Sequence, residues 1–182
     1  MERTDFYPLN KTYYFNFNEH SCHKCATGKC PLDDLSIEEI LAFEKPYKYY
    51  IEERAWEYCT NLAKNMLGYD YSSEIWMNYN QECGHYSFSD GQHRTCIIAR
   101  LYQKGNKVKF QPQLSYNHCK CPQCDSIDYF SEKEKSLKLL DKIFRTEKYI
   151  EVRNFNNRKF KDCLYKFDDI LTNATKPTKG SQ

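Results

Sequence analysis

Apolar and polar positions alternate, or recur at helical spacing, along most of the chain, and each change of period marks a new element. Lys11 to Phe17 is aromatic with partial alternation and predicts a strand. Ser36, with Glu39 three residues on, forms a capping-box pattern that opens a short helix, Ile37 to Phe43. Pro46 starts a longer helical stretch in which Tyr50, Ile51, Arg54, Ala55, Tyr58 and Leu62 recur at helical spacing until Gly68 ends it. Glu74 to Tyr79 and His85 to Ser89 are short β-prone runs around Cys83-Gly84, which predicts a hairpin leading into Asp90-Gly91. Gln92 to Lys104 places Ile97, Ile98, Leu101 and Tyr102 on one flank of a helix that stops at Gly105, and Lys107 to Leu114 alternates as a strand. Ser131 to Phe144 reads as an amphipathic helix with Leu137, Leu140, Ile143 and Phe144 on one side. Tyr149 to Arg153 reads as a brief strand and Phe160 to Leu171 as a second helix, before a Thr/Lys/Gly/Ser tail from about residue 173 that is expected to be disordered.

Composition adds little to this pattern except through charge and cysteine. The chain has 182 residues with 27 Lys+Arg against 25 Asp+Glu, which disfavours a purely electrostatic nucleic-acid binder. Residues 131–182 hold 13 Lys/Arg against 8 Asp/Glu, so the C-terminal third is mildly basic: a solvated helical face, or a surface that contacts DNA. Sixteen Tyr, 11 Phe and 2 Trp supply apolar area that the aliphatic residues do not. With no run of 18 apolar residues and no secretory pattern in the first 20, a cytoplasmic protein without membrane contact is expected. In a reducing compartment, ten cysteines read as metal ligands and buried thiols rather than disulfides.

Six of those ten fall in two clusters. Cys22-His23-Lys24-Cys25 and Cys121-Pro122-Gln123-Cys124 are both C-x-x-C, and His20, Cys30, His118 and Cys119 stand close by. A tight turn lets two thiolates at this spacing face one ion, and two such pairs make a closed tetrahedral zinc site. One structural zinc held by Cys22, Cys25, Cys121 and Cys124 is therefore expected, with Cys30 and Cys119 as alternates. Each cluster could instead form its own site, Cys22, Cys25 and Cys30 with His20 or His23, and Cys119, Cys121 and Cys124 with His118. A redox dithiol is the other use of such a pair. Cys59, Cys83, Cys96 and Cys163 lie within periodic segments, where ordinary packing is the expectation.

The richest stretch is Asp90-Gly91-Gln92-His93-Arg94-Thr95, where a strand hands over to a helix. Free amides at that helix start would form an anion pocket, and Gly91 would let a phosphate approach the backbone. Arg94 could clamp phosphate oxygens with its planar fork, while His93 could donate a hydrogen bond or move a proton. Asp90 would cap the helix, hold Mg²⁺ or accept a proton from a hydroxyl. A hairpin turn followed by a strand is the competing reading, but the helical spacing of Ile97, Ile98, Leu101 and Tyr102 argues against it.

Over roughly residues 74–114, Asp90-Gly91-Gln92-His93-Arg94 and the helix and strand after it resemble the ParB/sulfiredoxin-like superfamily, in particular proteins bearing the DGQHR signature. The resemblance implies an α+β fold: a small mixed sheet with flanking helices, elaborated here by zinc-stapled insertions and a C-terminal helical extension. It implies a ParB/sulfiredoxin-like domain over 1–126 and a helical extension over 127–182 packed on it. It further implies a nucleoside triphosphate with Mg²⁺ bound through Gly91, Gln92, His93, Arg94 and Thr95. Sulfiredoxins place a catalytic Cys just before His-Arg, where this chain has Gln92, so repair of oxidised cysteine is not expected. Only 58 residues follow Cys124, too few for the DNA-binding domain of a partition protein.

Three functions follow. The first is a nucleotide-binding module in prokaryotic or phage DNA transactions, with structural zinc, DNA contact through the basic C-terminal third, and a homodimer as one option. The second is an enzyme of the same pocket, a phosphotransferase or nuclease, with Asp90 and His93 in acid-base roles. The third is a zinc-stapled protein-interaction domain in which the turn merely starts a helix.

Overall fold

The aromatic run near the N-terminus forms β1 (Thr12–Tyr14), which lies inside a five-stranded mixed sheet, between strands from two distant parts of the chain. The computed structural model describes residues 6–18, 21–44, 55–68, 74–157 and 164–169. β2 (Trp76–Asn80) and β3 (His85–Asp90) form the expected antiparallel hairpin, β4 (Gln113–Asn117) runs parallel to β2, and β5 (Leu164–Lys166) runs antiparallel to β1. The strand order is β4-β2-β3-β1-β5, with β1 parallel to β3. The protein is thus mixed α+β, as its sequence pattern implies.

Aromatic side chains do much of the packing. Tyr13 is fully buried, its hydroxyl donates to the Pro8 carbonyl at 2.7 Å, and its ring stacks near Phe15 and Phe88. Phe167, just past β5, completes this cluster from the far end of the chain. Burying a hydroxyl is tolerable here because it finds an acceptor.

Among the described residues, four helices precede β2: α1 (His23–Thr27), α2 (Pro31–Asp34), α3 (Ile37–Leu41) and α4 (Ala55–Gly68). At α3 the expected capping box is present, with Ser36 Oγ accepting from the Glu39 amide and the Glu39 carboxylate accepting from the Ser36 amide. The part of the expected Pro46–Leu67 helix before residue 55 lies outside the described residues. Next in the chain, α5 (Gln92–Gln103) buries Ile97, Ile98, Ala99 and Leu101 against the core and packs on α4.

Four expectations are corrected. Residues 107–112 are not strand, and the ladder begins at Gln113, whose amide donates to the Ile75 carbonyl at 2.8 Å. Phe110 is nevertheless buried and its carbonyl accepts from Phe6, so the alternation there reflects core docking without a strand partner. The amphipathic stretch 131–144 is two helices, α6 (Pro122–Lys135) and α7 (Leu139–Ile143). Ser136 caps the first, and Asp141 accepts from the Lys138 amide at 2.8 Å to start the second. Tyr149–Arg153 belongs to a helix, α8 (Glu147–Asn157), which docks on α6 through Phe155 stacked on Phe130 at 4.1 Å. Within Phe160–Leu171, the described residues form β5 and the turn after it rather than a helix, because Tyr165 and Phe167 join the aromatic cluster. The segment expected as a helical extension therefore supplies a strand of the sheet. The tail from about residue 173 and Cys163 lie outside the described residues, among which no helix is long and apolar enough to cross a membrane.

Candidate functional site

The parallel pairing of β2 with β4 aligns Asn80 with Asn117, so the chain leaves both strands at the same end of the sheet. After β2 it turns through Gln81–Gly84, with the amides of Cys83 and Gly84 both donating to the Asn80 carbonyl and Gly84 at φ +69°. Asn80 is buried and its amide donates to the His85 carbonyl and Ser87 Oγ, which holds the tip rigid. After β4 the chain reaches Cys121, the N-cap of α6, with Pro122 in the first helical turn. The amides of Gln81 and Glu82 donate to the carbonyls of Asn117 and Cys119 and lock the two exits together.

This arrangement gathers Cys83, His85, Cys121 and Cys124, whose ligand atoms all lie within 4.8 Å of one another. His85 Nδ1 is 3.3 Å from Cys124 Sγ and 3.5 Å from Cys121 Sγ, and the Cys121 amide donates to Cys83 Sγ at 3.2 Å. A tetrahedral zinc ion, with Zn–S of about 2.3 Å and Zn–N of about 2.1 Å, sets its donors about 3.5–3.8 Å apart, close to this spacing. The group could hold a metal ion, and three thiolates with one imidazole suit zinc. Burial and the neighbouring thiols push the Cys124 thiol up to about 12, and burial raises Cys121 as well. A bound cation reverses that tendency, and each thiol that binds releases a proton.

The expected pair Cys121 and Cys124 is therefore at the centre, but its partners are Cys83 and His85 rather than Cys22 and Cys25. Cys119 is exposed, its Sγ 4.0 Å from Asn80 Oδ1, and neither it nor His118 belongs to the group. Cys22, Cys25 and Cys30 lie with α1 and α2, and His20 is outside the described residues. Cys83 was expected to be packing and His85 had no assigned role. The legible signal was Cys83-Gly84-His85 at a hairpin tip, a C-x-H turn with small Gly between its two ligands.

The Asp90–Thr95 turn lies elsewhere on the same hairpin, where β3 enters α5. Gly91 is the N-cap of α5, at φ +89° and without a side-chain cap. The first intrahelical bond runs from the Thr95 amide to the Gly91 carbonyl, so the amides of Gln92, His93 and Arg94 precede the helix ladder, and the first turn has no acidic residue. Asp90 accepts from the Gly91 amide with one oxygen and from Arg94 with the other, both at 2.6 Å. Asp90 is 68% exposed and Arg94 14%. Gln92 Oε1 accepts from the Asn16 amide at 2.9 Å and ties the turn to the segment after β1. Thr95 is buried, and its Oγ1 has no hydrogen-bond partner.

His93 is set between the rings of Phe17 and Tyr58, at centroid distances of 4.4 and 5.7 Å. Burial pushes its pKa down to about 4, so it is neutral at pH 7. An unfolded histidine titrates near 6.5, and between that value and about 4 the unfolded chain holds the extra proton. The stabilisation due to neutral His93 is thus full above pH 6.5 and is lost as pH falls through that window, by up to about 3 kcal/mol. Denaturant unfolding at pH 7 and pH 4.5 should show a smaller loss for His93→Phe than for the unsubstituted protein. Equal losses would show that His93 is not the buried neutral group.

No protein-family model matches this chain, and no curated protein or solved structure is detectably similar to it.

Proposed function

We propose that the protein is a nucleotide-phosphate-binding module whose binding turn is Gly91–Thr95 and whose hairpin and α6 are held together by zinc at Cys83, His85, Cys121 and Cys124. The observation that carries this reading is the start of α5, where a 12-residue helix opens on a glycine with no side-chain cap and no acid in its first turn. The resemblance of Asp90–Arg94 to the DGQHR signature supports the same use. Asp90 and Arg94 form an ion pair at the rim, and a magnesium nucleotide offers each a new partner. The carboxylate can turn to the metal while the guanidinium takes the phosphate oxygens.

An enzyme using Asp90 and His93 as acid and base draws less support. His93 is held neutral between two rings, and Asp90 already accepts two hydrogen bonds. DNA contact by the basic C-terminal third draws less support as well, because Lys133 and Lys166 are ion-paired with Glu151 and Asp168.

Calorimetric titration with ATP, CTP, GTP and UTP plus Mg²⁺ tests the reading, alongside Arg94→Ala. At least one nucleotide should bind, and Arg94→Ala should weaken it by about 10- to 100-fold, the worth of a charge-assisted hydrogen bond. Silence from all four at about 1 mM would overturn the proposal. It would favour a zinc-stapled interaction domain, a second reading suggested by α7, where Leu139, Leu140, Ile143 and Phe144 are 60–74% exposed.

A further inference from the structure

Away from the Cys83 group, four other cysteines lie on or beside three helices that pack together and at the start of a fourth. Cys22 and Cys30 are the N-cap residues of α1 and α2, Cys59 lies in α4 and Cys96 in α5. Helices α2, α4 and α5 pack against one another, Cys30 is buried, and Cys59 and Cys96 lie against the core. Cys59 is within electrostatic reach of Cys22 and Cys30, and Cys96 of all three. Cys22 and Cys25 form a C-x-x-C pair, but it is Cys22 that joins this set.

Two cations share the place. Lys24 and Arg100 both feel the charges of Cys22 and Cys30. Lys24 Nζ lies 4.1 Å above the Tyr165 ring, and the Arg100 guanidinium lies 5.8 Å from the same ring. Arg100 is only 5% exposed. One of its terminal nitrogens pairs with Asp33, another is 3.4 Å from the Tyr165 hydroxyl, and its Nε–H finds no acceptor. A buried N–H left without an acceptor is costly, and the Arg100 Nε–H therefore points to an acceptor beyond Asp33 and Tyr165.

We propose that Cys22, Cys30, Cys59 and Cys96 hold an iron–sulfur cluster, with Lys24 and Arg100 beside it as counter-charges. A cluster rather than a single ion fits the spacing. Among the described residues, the ligand atoms gathered closely enough for one ion are those of the Cys83 group. A cubane distributes its four thiolates over four irons and so spaces them more widely than one zinc does. Four thiolates on a dicationic cubane leave a net charge of −2; Lys24 offsets one unit of it, and Arg100, already paired with Asp33, offers its buried Nε–H as a donor. Assembly releases four thiol protons to solvent and leaves the cysteine sulfurs in their oxidation state; from four ferric ions, the two electrons that make two irons ferrous come from dithiothreitol, which closes to its disulfide. The Arg100 Nε–H then has a sulfide or thiolate to meet.

The test is anaerobic reconstitution of the full-length protein with ferric iron, sulfide and dithiothreitol, followed by iron, sulfide and zinc analysis and absorption spectra. The expected product has about four irons and four sulfides per chain and a charge-transfer band near about 400 nm. Cys59→Ala and Cys96→Ala should each lower that band at least fivefold. Cys22→Ala, at a half-buried helix start, keeps the test decisive if the core variants fail to fold. Cys121→Ser should lose zinc and keep the iron, and Cys25→Ala should keep both. Folded protein that takes up no sulfide, or that binds two zinc ions and no iron, would overturn the proposal. A Cys22→Ala protein with an undiminished band would do the same.

Discussion

Replacing Cys83, Cys121 or Cys124 by serine should each cost the protein its zinc and several kcal/mol of stability, whereas Cys119→Ser should cost neither. The four ligands sit on two chain exits that are otherwise joined by two backbone hydrogen bonds, from Gln81 and Glu82 to Asn117 and Cys119. A metal that binds only the folded arrangement stabilises it by mass action, about 4 kcal/mol when free zinc is a thousandfold above Kd. For a chain of this size that corresponds to a melting temperature lower by about 8–16 °C. The loss should be local first, with hydrogen exchange accelerating at residues 80–86 and 118–126 while β1 and α5 stay protected. Because each ligand thiol gives up a proton on binding, zinc occupancy should fall as the pH is lowered. Serine variants that melt within about 1 °C of the unsubstituted protein would show that the four residues do not share a metal.

A large effect is also expected from one methyl group at Gly91. Its backbone sits at φ +89°, a conformation that costs an L side chain about 1–2 kcal/mol. A Cβ there would lie 2.9 Å from Cγ1 and Cγ2 of Ile75, a buried residue whose carbonyl anchors the start of β4. Overpacking of this kind adds about 1–3 kcal/mol, so Gly91→Ala should lower the melting temperature by about 4–20 °C. In an Ile75→Ala background, which lacks both Cγ atoms of the contact, the same Gly91→Ala change should cost less, with only the strained φ left to account for it. Gly91→Ala with an unchanged melt would mean that the turn is free to relax, and the rigid phosphate-binding turn would lose its basis.

The features legible in the sequence are those encoded by neighbours in the chain. Ser36 and Glu39 cap α3 by hydrogen bonds within four residues, and Gly91 and Gly105 bracket α5 through their own backbone preference. The candidate metal site was half legible. Cys121 and Cys124 carry the spacing of a thiolate pair, but their partners depend on β2 and β4 running parallel, a tertiary fact no local pattern contains. The closeness of two C-x-x-C motifs in composition drew the first pair toward the second, whereas the fold places Cys22 with Cys30, Cys59 and Cys96. Helical spacing likewise joined residues 131–144 into one amphipathic helix, because it cannot register a cap such as Asp141 that restarts the helix and leaves Leu139 to Phe144 in solvent. β5 was hidden for a related reason: Leu164, Tyr165 and Lys166 fit a helix in isolation and become strand only when β1 offers a partner.

The most direct measurement of the metal centre is zinc-edge X-ray absorption on the zinc-loaded protein. The expected shell is three sulfurs at about 2.3 Å and one nitrogen at about 2.0 Å, with the nitrogen lost in His85→Ala and a sulfur lost in Cys83→Ser. A shell of four sulfurs that is unchanged by His85→Ala and Cys83→Ser would contradict it.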